Sequence, residues 1–143
     1  VVMTAQINYL PNPAAASARG LTEMRTAAGG DRWLVRQPLS SSNLSPFWVN
    51  TAGSPNNSGG AGAQAVPAAL TPFKWGISFK DGQWNTALNG VAGNTNAAGY
   101  LPPDLLTWNL GSDSQVAFWN GHLRRARYWP RAMATAELLA ATT

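Results

Sequence analysis

The chain has 143 residues, the size of one domain, and its 45% apolar content is enough for a single sizeable core. Only 11% of residues are charged while Gly and Pro number 14 and 10, which excludes a helical bundle and suits short strands joined by polar loops. Ten basic against six acidic residues give a net charge of +4, which draws anionic polymers or surfaces in a salt-dependent way, and the absence of cysteine excludes disulfides and thiolate metal sites.

Val1 to Leu10 is rich in β-formers and is stopped by Pro11, Asn12 and Pro13, which predicts a first strand. The chain opens directly in that strand without an initiator methionine, so it reads either as a whole domain spanning 1–143 or as the C-terminal part of something longer. In Ala14 to Ala28, Thr22, Met24 and Thr26 alternate with Glu23 and Arg25, a period of two that favours a strand over a helix. After the Gly29–Gly30 turn, Asp31 to Leu39 reads as a strand with Trp33 and Val35 on one face and Leu34 and Arg36 on the other. Pro46 to Thr51 is a further short aromatic strand. Ala52 to Ala65 is mostly Gly, Ser, Asn and Ala, which predicts an exposed loop and a candidate binding edge.

The clearest strand is Phe73 to Lys80, where Phe73, Trp75, Ile77 and Phe79 alternate with Lys74, Gly76, Ser78 and Lys80, one face for the core and one for water. Asp81–Gly82 supplies a tight turn, Gln83 to Leu88 returns, and Asn89–Gly90 is the strongest hairpin signal in the chain. Ala92 to Gly99 reads as a polar loop, and Leu105 to Leu110 as a strand stopped by Gly111. Asn120–Gly121 marks another turn. Beyond it Leu123, Ala126 and Tyr128 all point inward if a bulge falls between them. Thr135 to Ala141 carries Ala, Glu and Leu for a short helix that seats Leu138 or Leu139 against the strands. No apolar run reaches the roughly 18 residues of a membrane span, and Val1 to Leu10 lacks the features of a signal segment.

The run from Gly121 to Arg131, GHLRRARYWPR, closed by Ala136-Glu137-Leu138, resembles the ending of concanavalin A-like (laminin G-like) jelly-roll domains, especially those of bacteriophage structural proteins. The strand at Phe73 to Lys80, Asp81–Gly82, Leu88-Asn89-Gly90 and Leu110–Gly111 fit the family's upstream order. The resemblance covers about residues 70 to 143, and the first 69 by strand count alone. It implies an all-β, two-sheet antiparallel jelly-roll sandwich with a short C-terminal helix. The position that is usually Ser in the family is Ala134 here, so the capping box with Glu137 lacks its hydroxyl, and Thr135 is the weaker substitute.

The function this implies is non-catalytic: a virion structural module, either a head decoration, a fibre or a tail component, on the particle surface. Its partners are then other virion proteins, and a homo-oligomer such as a trimer suits the role. The alternative is a carbohydrate-binding module that recognises host glycan, and a third reading is a degraded glycosidase.

A glycosidase needs two carboxylates flanking a sugar linkage, and the supply is poor: Glu23 and Glu137 are the only glutamates, and Asp31, Asp81, Asp104 and Asp113 fall in or beside turns. No Asp-x-Asp pattern offers a calcium site, and His122 is the lone histidine, so no metal, cofactor or catalytic triad is expected. Seven tryptophans exceed the needs of such a core, which predicts that some are exposed. Trp84 and Trp119, beside hairpin turns, are with Asn94 and Asn120 the expected contacts for a sugar or partner. Arg124, Arg125, Arg127 and Arg131 form an expected basic surface; no nucleic-acid signature accompanies it.

Overall fold

The computed structural model describes residues 2–7, 19–27, 30–38, 43–49, 55–57, 63–65, 67, 70–80, 82–99, 104–113, 117–119 and 121–143; for 2–7, 49, 55–57, 96–99, 113 and 117 the backbone alone is described. Fourteen strands and one helix lie in that set: β1 Val2–Ile7, β2 Arg19–Arg25, β3 Arg32–Gln37, β4 Asn43–Val49, β5 Pro55–Asn57, β6 Gln64–Ala65, β7 Phe73–Lys80, β8 Gly82–Leu88, β9 Val91–Ala92, β10 Asn96–Gly99, β11 Thr107–Leu110, β12 Ser112–Asp113, β13 Ala117–Phe118, β14 Gly121–Arg127 and α1 Thr135–Thr142.

Two antiparallel sheets form the sandwich expected from the sequence. Sheet A runs β10-β8-β7-β1-β14, with β9 also on β8, and sheet B runs β11-β2-β3-β4-β5, with β6 also on β4. β12 and β13 pair with each other. Between the sheets, Leu21, Met24, Trp33, Val35, Leu44 and Trp48 from sheet B close on Phe73, Trp75, Ile77 and Trp84 from sheet A, with Trp119 beside them. Burying so many large side chains is the main force holding two such sheets face to face.

Local chemistry explains the register. Asn89 and Gly90 adopt φ of 48° and 76°, the left-handed pair of a two-residue turn, and Leu88 faces Val91 across it. On β14, Thr4 pairs with Arg125 and Ala5 with Leu123, so Arg124 is the extra residue of a bulge. The bulge lets both Leu123 and Ala126 pack on the core, as the sequence pattern required; Tyr128 instead lies beyond the strand and is exposed. Pro46, which has no N–H to donate, sits on β4 in the gap between its two short partners, β5 at 47–49 and β6 at 43–44.

Four further expectations are corrected. The 52–65 segment is not all loop: 55–57 and 64–65 pair with β4, because a ladder of main-chain bonds asks nothing of the side chains. Likewise Asn96 to Gly99 adds a strand to β8, which leaves only 93–95 as loop within the expected 92–99 stretch. The second face of β7 is not wet throughout, since Ser78 is buried and its hydroxyl both donates to the Met133 carbonyl (2.8 Å) and accepts from the Met133 N–H (2.7 Å). That clasp brings the segment before α1 onto sheet A, where Ala87, Met133 and Leu138 form a second small core. At the helix start Ala134 is the N-cap and Thr135 is already helical, so Thr135 does not serve as cap. Glu137 alone makes half a box, accepting the Ala134 N–H at 2.9 Å. No helix among the described residues is long and apolar enough to cross a membrane.

Candidate functional site

Two of the four residues expected to contact a sugar are buried. Trp84 and Trp119 are 1% and 8% exposed. Side-chain alternation, not nearness to a turn, decides this: Trp84 pairs with Phe79 and shares its inward face, where its ring meets Trp48 edge-on at 4.9 Å. Trp119 tucks under Phe73 at 6.3 Å. Asn94 is exposed between β9 and β10, and Asn120 lies outside the described residues. Arg124, Arg125, Arg127 and Arg131 are all exposed; Arg131, however, is engaged by Glu137 through two bonds of 2.7 and 2.9 Å.

The outer face of sheet B is richer. Because Met24, Trp33 and Val35 point into the core, the intervening positions of β2, β3 and β4 point away from it. Register then lines up Asn109, Glu23, Leu34 and Phe47 across four strands, with Arg25 and Arg32 paired in the next row and Arg36 beside Ser45 in the row on the other side. Glu23 is fully buried, as are Leu34 and Phe47 within a few per cent. Its two carboxylate oxygens are held separately: Arg32 Nη1 donates to Oε1 at 3.3 Å, and Asn109 Nδ2 donates to Oε2 at 2.9 Å. The Arg32 side chain keeps 26% of its surface exposed. Arg36 lays its guanidinium over the Phe47 ring, 4.4 Å from the centroid.

A buried carboxylate that is not itself reachable fixes the orientation of a guanidinium that is. Arg25, Arg32 and Arg36 are half-buried around that covered row, one anchored by a carboxylate and one by a ring, and partly exposed guanidinium groups fixed in this way suit an anionic group. The two positions paired with Glu23 are Leu34 and Asn109, neither of them acidic, so the register of the described residues assembles no carboxylate pair there. Among the described residues no group of three or more His, Cys, Asp or Glu side chains is placed to hold a metal.

A second concave feature lies at the β11 edge, where the two sheets part. A cleft of about 440 Å³ is lined by Met24, Phe79, Leu105, Leu106, Trp108 and Tyr128 among others. Trp108 is half-buried, with its indole N–H donated to Thr22 Oγ1 at 2.7 Å, and its ring stands 6.4 Å from that of Tyr128. Of the seven tryptophans, Trp108 and Trp129 are the partly exposed ones. Neither the arginine face nor this cleft has a sequence signal of its own. Both arise from pairing between strands far apart in the chain.

No protein-family model and no curated protein matches the chain. Among solved structures it is similar to the CBM40 carbohydrate-binding module of the Ruminococcus gnavus IT-sialidase. With α2,6-sialyllactose bound, that module superposes with a TM-score of 0.69 at 12% identity, over 99% of this chain and 81% of its own. The same module without ligand gives 0.69 at 13% identity, and with α2,3-sialyllactose 0.65 at 14%, each over 99% of this chain and 80% of the module. At such identities the likeness establishes the fold alone, an all-β two-sheet jelly roll.

Proposed function

We propose that this chain is a non-catalytic carbohydrate-binding module, and that the outer face of sheet B takes an anionic sugar. The observation that carries the reading is the Glu23–Arg32–Asn109 arrangement, set in a fold whose solved neighbour is a glycan-binding module. A guanidinium offers five N–H donors in a fixed fork, and the Arg32 side chain, 26% exposed and oriented by Glu23, is the group this reading sets against a sugar carboxylate. Holding Arg32 and Arg36 in place beforehand lowers the entropy lost on binding. A neutral sugar lacks the group that this arrangement favours, and discrimination between the two follows from charge.

Glu23 acts here as a positioning group. Its carboxylate is committed to Arg32 and Asn109 and faces no acidic partner in the register, which supports binding over hydrolysis. The virion role expected from the C-terminal run rests on that resemblance alone and gains no support from the fold.

The test is calorimetric titration with 3′-sialyllactose, 6′-sialyllactose and lactose. Sialyllactose is expected to bind and lactose to bind at least tenfold more weakly. Arg32→Lys keeps the charge over buried Glu23 but loses the fork, and is expected to weaken sialyllactose by roughly tenfold or more, the worth of one charge-assisted hydrogen bond. Tyr128→Ala is expected to leave it unchanged. Binding lost on Tyr128→Ala alone would move the site to the Trp108–Tyr128 cleft, and no binding of any glycan would overturn the reading.

A further inference from the structure

The arginines of β14 play no part in the site on sheet B, and they lie on the opposite outer face of the sandwich. Among the described residues β14 is the edge strand of sheet A and pairs with β1 alone. Leu123 and Ala126 face the core, so Arg125 and Arg127 face outward, and the bulge adds Arg124 next to Arg125 as a residue with no partner on β1. All three are exposed, and none makes an ion pair with a described residue. Across β1, Thr4 aligns Arg125 with Lys74, also exposed, whose amine donates to the Thr143 main-chain oxygen. Lys74 and Arg124 line an open depression of about 450 Å³ together with Pro72, Asn89, Thr142 and Thr143 among others.

From these positions we infer that the β14 edge is a docking surface for a linear sulfated polysaccharide. Arg125 and Arg127 stand about 7 Å apart along the strand, and Lys74 about 10 Å from Arg125 across two strand spacings. Charges spread over such an area match several anionic groups on one polymer and are too widely spaced for a single carboxylate.

Other occupants fit less well. A second copy pairing antiparallel along this edge would set arginine against arginine, a like-charge contact that edge strands use to prevent such pairing. Single-stranded nucleic acid is held by stacking aromatics among the cations, and the outward positions of β14 offer His122, Arg125 and Arg127 with no aromatic ring of the Trp, Tyr or Phe kind between them. A sulfated sugar chain needs cations and no stacking platform.

The experiment uses the full chain and four probes: heparin, desulfated heparin, neutral dextran and an oligothymidylate. Heparin is expected to bind in a way that weakens steeply with added NaCl, with the other three at least tenfold weaker. Replacing the three exposed arginines together, R124Q/R125Q/R127Q, is expected to cost roughly hundredfold in heparin affinity, at about the weight of one cation near an anionic surface for each. Arg131→Gln, which removes a cation already held by Glu137, is expected to change it little. Circular dichroism checks that the triple variant remains folded, and its sialyllactose titration separates this surface from the arginine face of sheet B. Heparin affinity unchanged in the folded triple variant, with or without new aggregation, would show that the arginines only guard an edge. Oligothymidylate bound as tightly as heparin would overturn the assignment in favour of nucleic acid.

Discussion

Replacing Ser78 with alanine removes one hydroxyl and strands two main-chain groups. In the parent chain that hydroxyl serves both the N–H and the C=O of Met133, at 2.7 and 2.8 Å, in a region where Ser78 is 6% and Met133 9% exposed. A buried polar group left without a partner costs about 1–3 kcal/mol, so two such groups bracket a loss of about 2–6 kcal/mol. The residual exposure of Met133 admits some water, which places the expected cost near the lower end, about 3 kcal/mol. That is a large share of the roughly 5–15 kcal/mol that holds an ordinary domain folded. Urea unfolding followed by tryptophan fluorescence measures it. With a slope of about 2 kcal/mol/M, the midpoint is expected to fall by about 1.5 M with the slope unchanged. Hydrogen exchange gives a local reading, because the Met133 amide is expected to lose its protection first. A midpoint shift under about 0.3 M, with the Met133 amide still protected, would refute the view that this clasp fastens the C-terminal segment to sheet A.

Glu23→Ala removes the carboxylate from beneath Arg32 and Asn109. Breaking a buried pair typically costs about 3–5 kcal/mol, and the partial exposure of Arg32 brings the expected loss to about 3 kcal/mol, with Glu23→Gln losing less because its amide still accepts from Asn109. Thermal melts check the order, and equal melting temperatures for parent and Glu23→Ala would contradict it. Hydrogen bonds from Arg131 and the Ala134 N–H lower the Glu137 pKa from 4.5 to about 2. The folded value lies below the unfolded one, so this contribution to α1 is present above about pH 4.5 and is lost as pH falls through about 2. Carboxyl-carbon NMR is expected to show Glu137 titrating near 2 in the parent and closer to 4.5 in Arg131→Ala; the same low midpoint in both would rule out the ion pair as its cause. At Gly93 an added Cβ would run into Thr86 Oγ1 and lie 3.0 Å from Gln64 Cδ, with both side chains buried. Gly93→Ala is expected to cost about 1–3 kcal/mol by overpacking, and a neutral urea midpoint would show that β8 and β6 yield there.

The core stripes of the sandwich were readable in the sequence because they are local. Phe73, Trp75, Ile77 and Phe79 announce their face by simple alternation, and Asn89–Gly90 fixes a register that needs no tertiary information. Among the strands without a sequence signal, β5, β6 and β10 have composition against them. They exist because an open ladder on β4 or β8 accepts any extended backbone. The site was less legible for a related reason. Nearness to a turn suggested exposure for Trp84 and Trp119, yet register sets both inside. Glu23, Arg32 and Asn109 come from three segments whose meeting depends on the β3-β2-β11 order, and no spacing along the chain encodes that order. The β14 arginines, by contrast, are clustered in the sequence itself.

The most direct measurement is an amide NMR titration of the unmodified chain with 6′-sialyllactose, read residue by residue. Saturable shifts are expected on β2, β3 and β11 around Glu23, Arg32, Leu34, Arg36 and Asn109, and lactose is expected to move none of them. A spectrum indifferent to sialyllactose at millimolar concentration, or shifts gathered only around Trp108 and Tyr128, would contradict the assignment of an anionic-sugar site to the outer face of sheet B.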